Sequence, residues 1–337
     1  MSTQPQQVDN NDYSAFLNEA GWGDASVEAL AADMGLRRYF LLKRGDEKAL
    51  LMDMSRAGIL ETGLAEFIKV DEFLRGININ APEIYYSNLE SGLAVIEYLG
   101  DQSFGDVLKE GEDPNALYGT ATDILIKLRE GAGTENNLSL PNYKDTLIWE
   151  RLPQFVDYYM PASGGAAPSE DAHAEYQKVW QEIETSLPEP QKIICLADYH
   201  LENLIWRDEQ EPPYGIIDFQ DAFWAPCAYD LLNLLHDARN TVPDDIINEM
   251  KVRYCADMNA EEKESFEAWY CLMSAQFHCR VIGLFIKFAQ EGRGQQFLPH
   301  IPRLQGYLRE NLKNPLLKPL KEFIEGHSIS IEKTIGV

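Results

Sequence analysis

The sequence predicts an α+β protein in which a small, strand-rich N-terminal lobe with one helix precedes a large, mainly helical lobe. Two observations carry this. Paired apolar runs around short turns occur twice before residue 100, with one amphipathic segment between them. Beyond Gly100 the apolar spacing becomes helical and stays so almost to the C-terminus. The chain has 337 residues, 45% of them hydrophobic, which is enough for one large or two modest domains. We expect a flexible tail over 1–14, an N-terminal lobe over 15–98 and a C-terminal lobe over 99–337.

In chain order, "RRYFLLKR", "GDE" and "KALLMDM" read as a hairpin around a glycine-containing turn. "LAEFIKVDEFLRG" follows, with Leu64, Phe67, Ile68 and Leu74 near helical spacing and Gly76 as its stop. "EIYYSN", "LESG" and "LAVIEYL" form a second hairpin. "DPNALYGTATDILIKLREGAG" is a helix with a glycine-rich end, "PASGGAAPSED" a flexible loop and "AEYQKVWQEIETSL" an amphipathic helix. Two short strands come next, "KIICLAD" and "YGIIDF". From "AYDLLNLLHDAR" onward the chain reads as helix, broken by Pro299 and Pro302. No internal repeat is evident.

The formal charge of -26 argues against nucleic acid or an anionic membrane as partner, and any polyphosphate site needs local compensation. Cys195, Cys227, Cys255, Cys271 and Cys279 lack paired spacing, so neither a disulfide framework nor a zinc site is indicated, and a reduced, cytoplasmic protein is expected. The polar start does not read as a secretory signal. No apolar stretch reaches the roughly 18 residues of a membrane span. No obligate protein partner is evident.

The one strong polar constellation lies between the two short strands. Asp198 and Asn203 are five residues apart in a loop, and Asp218 ends the next strand. A hairpin around "RDEQEPP" would bring all three to one edge. Two carboxylates and an amide carbonyl are hard oxygen donors that suit Mg²⁺, which keeps water and phosphate in its remaining positions. Phosphoryl transfer needs little else beyond a carboxylate that orients the acceptor. Taken alone, Asp198 also fits an Asx turn, Asn203 a loop cap and Asp230 a helix N-cap.

The order D-Y-H-L-E-N, I-I-D-F-Q-D, A-Y-D-L resembles the aminoglycoside phosphotransferase family, relatives of the protein kinases. That family's catalytic loop is H-G-D-x-H-x-x-N, followed by I-D-x-x-D and a downstream Y-D. "GLRRYFLL", "LPNYKDTLIWERLPQF", "GIIDFQDAFWAPCAYDLLNLLHDAR" and "CRVIGLFIKFA" further resemble a bacterial branch of anomeric sugar kinases acting on N-acetylmuramate and N-acetylglucosamine in cell-wall recycling. The resemblance runs over most of residues 15–310. It implies a protein-kinase-like two-lobe fold with ATP and Mg²⁺ as cofactors. It casts Asp198 as catalytic carboxylate, Asn203 and Asp218 as Mg²⁺ ligands, and His200 and Asp230 as supports of the catalytic loop. The stretch "VIEYLGD" becomes a hinge whose main chain, at Glu97 and Leu99, pairs with adenine. Asp221 fits a second metal contact, an acceptor hydrogen bond or a solvated turn.

The chain departs from the family pattern in several places. Leu196 stands for the first loop histidine and Ala197 for the glycine after it. Met52 occupies the place of the phosphate-contacting lysine, and the turn before the first hairpin has Gly35 as its single glycine. Arg37, Arg38 or Lys43 are candidates for the missing charge, or solubility charges at a strand edge. Glu150 and Arg151, within the aromatic "LIWERLPQFVDYYM", are candidates for the acceptor site or the solvated face of a core helix. His278 and Arg280 carry the same ambiguity. The expected activity is transfer of the ATP γ-phosphate to the anomeric hydroxyl of an amino sugar. The alternatives are an aminoglycoside or other small-alcohol kinase, and a non-catalytic nucleotide-binding scaffold.

Overall fold

The computed structural model describes residues 13–30, 37–55, 60–131, 138–207 and 210–335. Most of the expected tail, and the turn holding Gly35, lie outside these residues. Packing divides the chain into two compact units. The first runs through Asp113 and takes back Asn136–Leu138 and Leu201–Ala222; the second comprises Pro114–Glu135, Ser139–His200 and Phe223–Val337. The linear division expected at residue 98 differs from this because main-chain bonds tie later segments into the first unit. Trp206 N donates to Gln102 O at 2.8 Å, and Ile216 N donates to Asn80 O at 2.9 Å.

The first unit is built on an antiparallel sheet of strands β1 (Ser26–Ala29), β2 (Arg38–Arg44), β3 (Glu47–Asp53), β4 (Ile84–Asn88) and β5 (Leu93–Glu97), in the order β1-β2-β3-β5-β4. Its register explains the apolar runs. Phe40, Leu51 and Val95 stand side by side across β2, β3 and β5 on one face. That face packs on Tyr13, Phe16, Leu17 and Trp22 around the short helix α1 (Ser14–Glu19). Side chains alternate along a strand, so Leu41, Met52 and Ala94 belong to the other face, and they too are buried. Covering both faces, each large apolar side chain contributes roughly 1.5–3 kcal/mol. Helix α2 (Leu60–Gly76) lies between the two hairpins in sequence and buries Leu64, Phe67, Val70 and Leu74. Helix α3 (Phe104–Glu110) begins at a capping box formed by Ser103 and Asp106. Neither α1 nor β1 was anticipated from sequence.

The second unit is mainly helical: α4 (Pro114–Gly131), α5 (Leu147–Glu150), α6 (Met160–Ala162), α7 (Glu170–Thr185), α8 (Tyr229–Leu235), α9 (Asp244–Tyr254), α10 (Ala260–Gln290), α11 (Ile301–Asn311) and α12 (Lys318–Gly326). Between α5 and α6 the chain makes a π-helical turn, Phe155–Tyr159. At Gly283 of α10, an added Cβ would lie 2.5 Å from the carbonyl of Gln154, so only glycine lets these two backbones touch. By length and composition α10 could cross a membrane, which corrects the expectation of no such stretch; 72% of its apolar window is buried inside the protein, as in a core helix. Pro302 does not break a helix but opens α11, where its fixed φ and missing N–H cost nothing.

The hairpin expected around "RDEQEPP" is formed by the two strands that flank it, 204–206 and 214–216. "KIICLAD" and "YGIIDF" do not pair with each other. β6 (Lys192–Cys195) pairs with β9 (Phe223–Pro226) in the second unit. β8 (Tyr214–Ile216) pairs with β7 (Leu204–Trp206) in the first.

Candidate active site

Asp198 is presented by a three-residue turn. Its N–H donates to Leu196 O at 2.9 Å, and the residue between, Ala197, sits at φ +73°. This is a γ-turn with a positive central φ, a strained form that a residue bearing a Cβ rarely adopts. Two groups hold it. The carboxylate of Asp230, in the first turn of α8, accepts from Leu196 N at 2.6 Å. Tyr199 anchors the far side through a 2.8 Å bond to Ala121 O of α4. Asp230 is 1% exposed, and burial pushes its carboxyl up to about 7 against the opposing pull of the Leu196 and Ala197 amides.

Asp198 itself is 58% exposed, and His200, almost fully buried, places Nε2 3.3 Å from its Oδ1. Partial burial raises its pKa, but the His200 bond and the charges of His200, Arg239 and Arg280 outweigh that and hold it down to about 2. The group is therefore an anion throughout the physiological range. A carboxylate so stabilised is a weak base but a good fixed acceptor for a hydroxyl proton. Neither Arg239 nor Arg280 belongs to the motif; Arg280 was a candidate from sequence, whereas the effect of Arg239 on Asp198 is seen only in the folded second unit.

In the first unit, Asn203 and Asp218 leave the β7–β8 hairpin at the same end. Asn203 directly precedes β7, Asp218 lies two residues past β8, and Ile217 N donates to Asn203 O at 3.1 Å. Asp218 is itself at φ +62°. Arg37 donates to both acids of this loop, to Asp218 Oδ1 at 3.0 Å and to Asp221 Oδ2 at 2.6 Å. Gln220 Nε2 adds bonds to the same two carboxylates, at 2.7 and 3.3 Å. Asp221 thus stands as the second acid of an arginine-bridged pair.

Arg38 is placed differently. It is the cross-strand neighbour of Asp53, and its guanidinium pairs with that buried carboxylate and with Tyr13 Oη. Of the two arginines, Arg37 is the one that pairs with the acidic loop. Glu97 closes β5, with its carboxylate bonded to Arg207 at 3.0 Å and to Glu83 N at 3.2 Å. Leu99 is buried against Gly215 of β8, where an added Cβ would meet Leu99 Cδ1 at 2.7 Å. Glu150 is exposed and Arg151 half-buried at the end of α5, while the charges acting most strongly on Asp198 come from elsewhere.

The sequence pattern of the phosphotransferase enzyme family (APH) matches residues 26–267. The chain belongs to that family. Among curated members, an N-acetylmuramate/N-acetylglucosamine kinase of Caulobacter vibrioides is 30% identical over 93% of this chain and 94% of its own length. A protein of the same name from Pseudomonas aeruginosa is 28% identical over 90% of each. The phosphotransferase fold is shared with solved structures of much lower identity. The ADP-bound aminoglycoside phosphotransferase APH(2'')-Ib superimposes with a TM-score of 0.60 at 15% identity, covering 94% of this chain and 99% of that one. Choline kinase LicA from Streptococcus pneumoniae gives 0.58 at 13%, covering 90% and 98%. The kinase-like fold expected from sequence, a small antiparallel-sheet lobe followed by a large helical one, is therefore the fold of this phosphotransferase.

Proposed function

We propose that this phosphotransferase moves the γ-phosphoryl group of ATP onto the anomeric hydroxyl of an amino sugar, N-acetylmuramate or N-acetylglucosamine, in peptidoglycan recycling. The observation that carries the reading is Asp198: an ionised carboxylate held on a strained turn by dedicated supports, in a chain whose curated relatives bear that kinase name. Asp198 accepts the hydrogen bond of the sugar hydroxyl and orients its oxygen in line with the phosphoryl group. With a pKa of about 2 it takes the proton late, as suits a loose transition state in which the attacking oxygen has little bond formation. His200 and Asp230 keep the carboxylate in place.

Asn203 and Asp218 are the residues that hold Mg²⁺. The donor set fits a hard, partly hydrated ion: one carboxylate and one amide carbonyl, with no group of three or more His, Cys, Asp or Glu among the described residues that could hold a metal. Arg37 already supplies positive charge to Asp218 and Asp221. Bound Mg²⁺ supplies neutralisation of phosphate charge. We assign Arg37 to the phosphates in place of the missing lysine, and the main chain at Glu97 and Leu99 to the adenine. The reading places the enzyme in the cytoplasm, where ATP is available.

The test is turnover with Mg·ATP across a panel of amino sugars, aminoglycosides and amino alcohols, with phosphorus NMR of the product. An anomeric phosphate from an amino sugar is the expected result. Phosphorylation of aminoglycosides alone, or nucleotide binding without transfer to any acceptor, replaces the reading.

A further inference from the structure

Arg280 lies on α10, 8% exposed, in a chain with 55 acidic and 29 basic residues apart from histidine. Among the described residues its guanidinium has no ion pair and its Nε no hydrogen-bond partner; its recorded contact is with the ring of Phe277, 5.4 Å away. A buried charge with no carboxylate in contact is costly, and in so acidic a chain one would be easy to provide. Its field nonetheless reaches Asp198, Tyr143 and Tyr229.

A second buried polar atom without a partner belongs to a residue packed against α10. Gly283 lies three residues after Arg280, about one turn along α10, and it touches the backbone of Gln154. Gln154 is 8% exposed, and its Oε1 has no hydrogen bond. A second arginine, Arg239, acts with Arg280 on Asp198. Arg239 follows α8 and is fixed by buried Asp237, which takes its N–H at 3.0 Å and its Nη1 at 3.4 Å. Asn240 holds the other oxygen of Asp237 at 2.9 Å, and Arg303 binds the carbonyl of Ala238 between them. The Arg239 side chain is 47% exposed.

We propose that Arg280, with Arg239, forms a carboxylate-reading subsite for the acceptor sugar, so that these two arginines set the preference between an acidic and a neutral amino sugar. The inference rests on the amino-sugar reading above. Of the two sugars in the relatives' name, N-acetylmuramate carries a lactyl ether carboxylate and N-acetylglucosamine has a hydroxyl in its place. An acidic acceptor must approach the permanent negative charge of Asp198, and fixed cations offset that repulsion. Gln154 Oε1 is left to accept from a hydroxyl or amide N–H of the same sugar.

The experiment compares the unaltered protein, Arg280→Gln and Arg239→Gln on N-acetylmuramate, its methyl ester and N-acetylglucosamine. Removing a charge-assisted hydrogen bond raises KM for N-acetylmuramate relative to KM for N-acetylglucosamine on the order of 10- to 100-fold in Arg280→Gln, and less in Arg239→Gln. The unaltered protein disfavours the methyl ester by a comparable factor. Equal losses on both sugars, or an unchanged ratio, overturn the inference and make Arg280 a support for Asp198 or the phosphoryl group. If Arg280→Gln does not fold, the ester comparison and Arg239→Gln decide: indifference to esterification overturns it. Turnover of both sugars with no discrimination sinks this inference alone, whereas turnover of neither by the unaltered protein sinks the amino-sugar reading with it.

Discussion

The two acidic loops reach similar ends by different local means. In the second unit the left-handed residue is Ala197, and the acid comes one position later, supported from behind by Asp230 and from the side by His200. In the first unit the left-handed residue is the acid itself, Asp218, and its partner is a cation, Arg37. One carboxylate is steadied mainly by hydrogen bonds to its turn and left open to solvent; the other is neutralised at its charge. The contrast suits the proposed role of Asp198, since an orienting acid needs a fixed angle; at Asp218 the guanidinium sits on an oxygen that a metal ion would have to share.

The largest test of that contrast is Asp198→Asn, which should lower turnover by about 10²- to 10⁴-fold while leaving the melting temperature within a few degrees. Asp218→Asn should instead show in the metal titration, raising the Mg²⁺ concentration needed for half-maximal turnover on the order of 10- to 100-fold. If the two substitutions give the same kinetic signature, the division of roles fails. Asp230→Ala leaves the buried N–H of Leu196 without its acceptor and should destabilise the protein by about 1–3 kcal/mol in denaturant unfolding.

A fourth test uses an acid outside both loops. Asp71, on α2 and 2% exposed, is pushed up to about 7 by burial, with Glu72 and Glu97 adding to the rise and Arg75 opposing it. The native state keeps this proton where the unfolded chain has lost it, so stability from Asp71 is full below about pH 4 and is lost as pH rises through 7. Asp71→Asn should flatten that decline, read as a higher melting temperature at pH 8 and little change at pH 4. The smallest effect is expected of Ala197→Gly, which relieves the left-handed strain at the cost of a looser unfolded chain, for a net gain of about 0.5 kcal/mol. A loss of stability there would mean that the Cβ of Ala197 is itself packed.

Elements with a strong apolar period were legible in the sequence: both N-terminal hairpins, α2, α4 and α7 lie where their spacing puts them. The four-residue strands β1 and β9 are too short for a period to register. The pairing of β6 with β9 joins segments nearly thirty residues apart, and no local pattern selects it. The acids themselves were legible because hard oxygen donors cluster on a short stretch of chain. Their partners were not. Arg37 meets Asp218 across 181 positions, and Arg280, open in sequence between an acceptor role and a core helix, acts on Asp198 from α10.

The close seat of Gly283 on Gln154 has a mechanical consequence. With no room for even a methyl group, α10 and the chain entering the π-helical turn cannot slide past each other independently. Whatever tugs on one is felt by the other at once, as in two gear teeth cut without clearance. A saturation screen of codon 283 would return glycine almost alone.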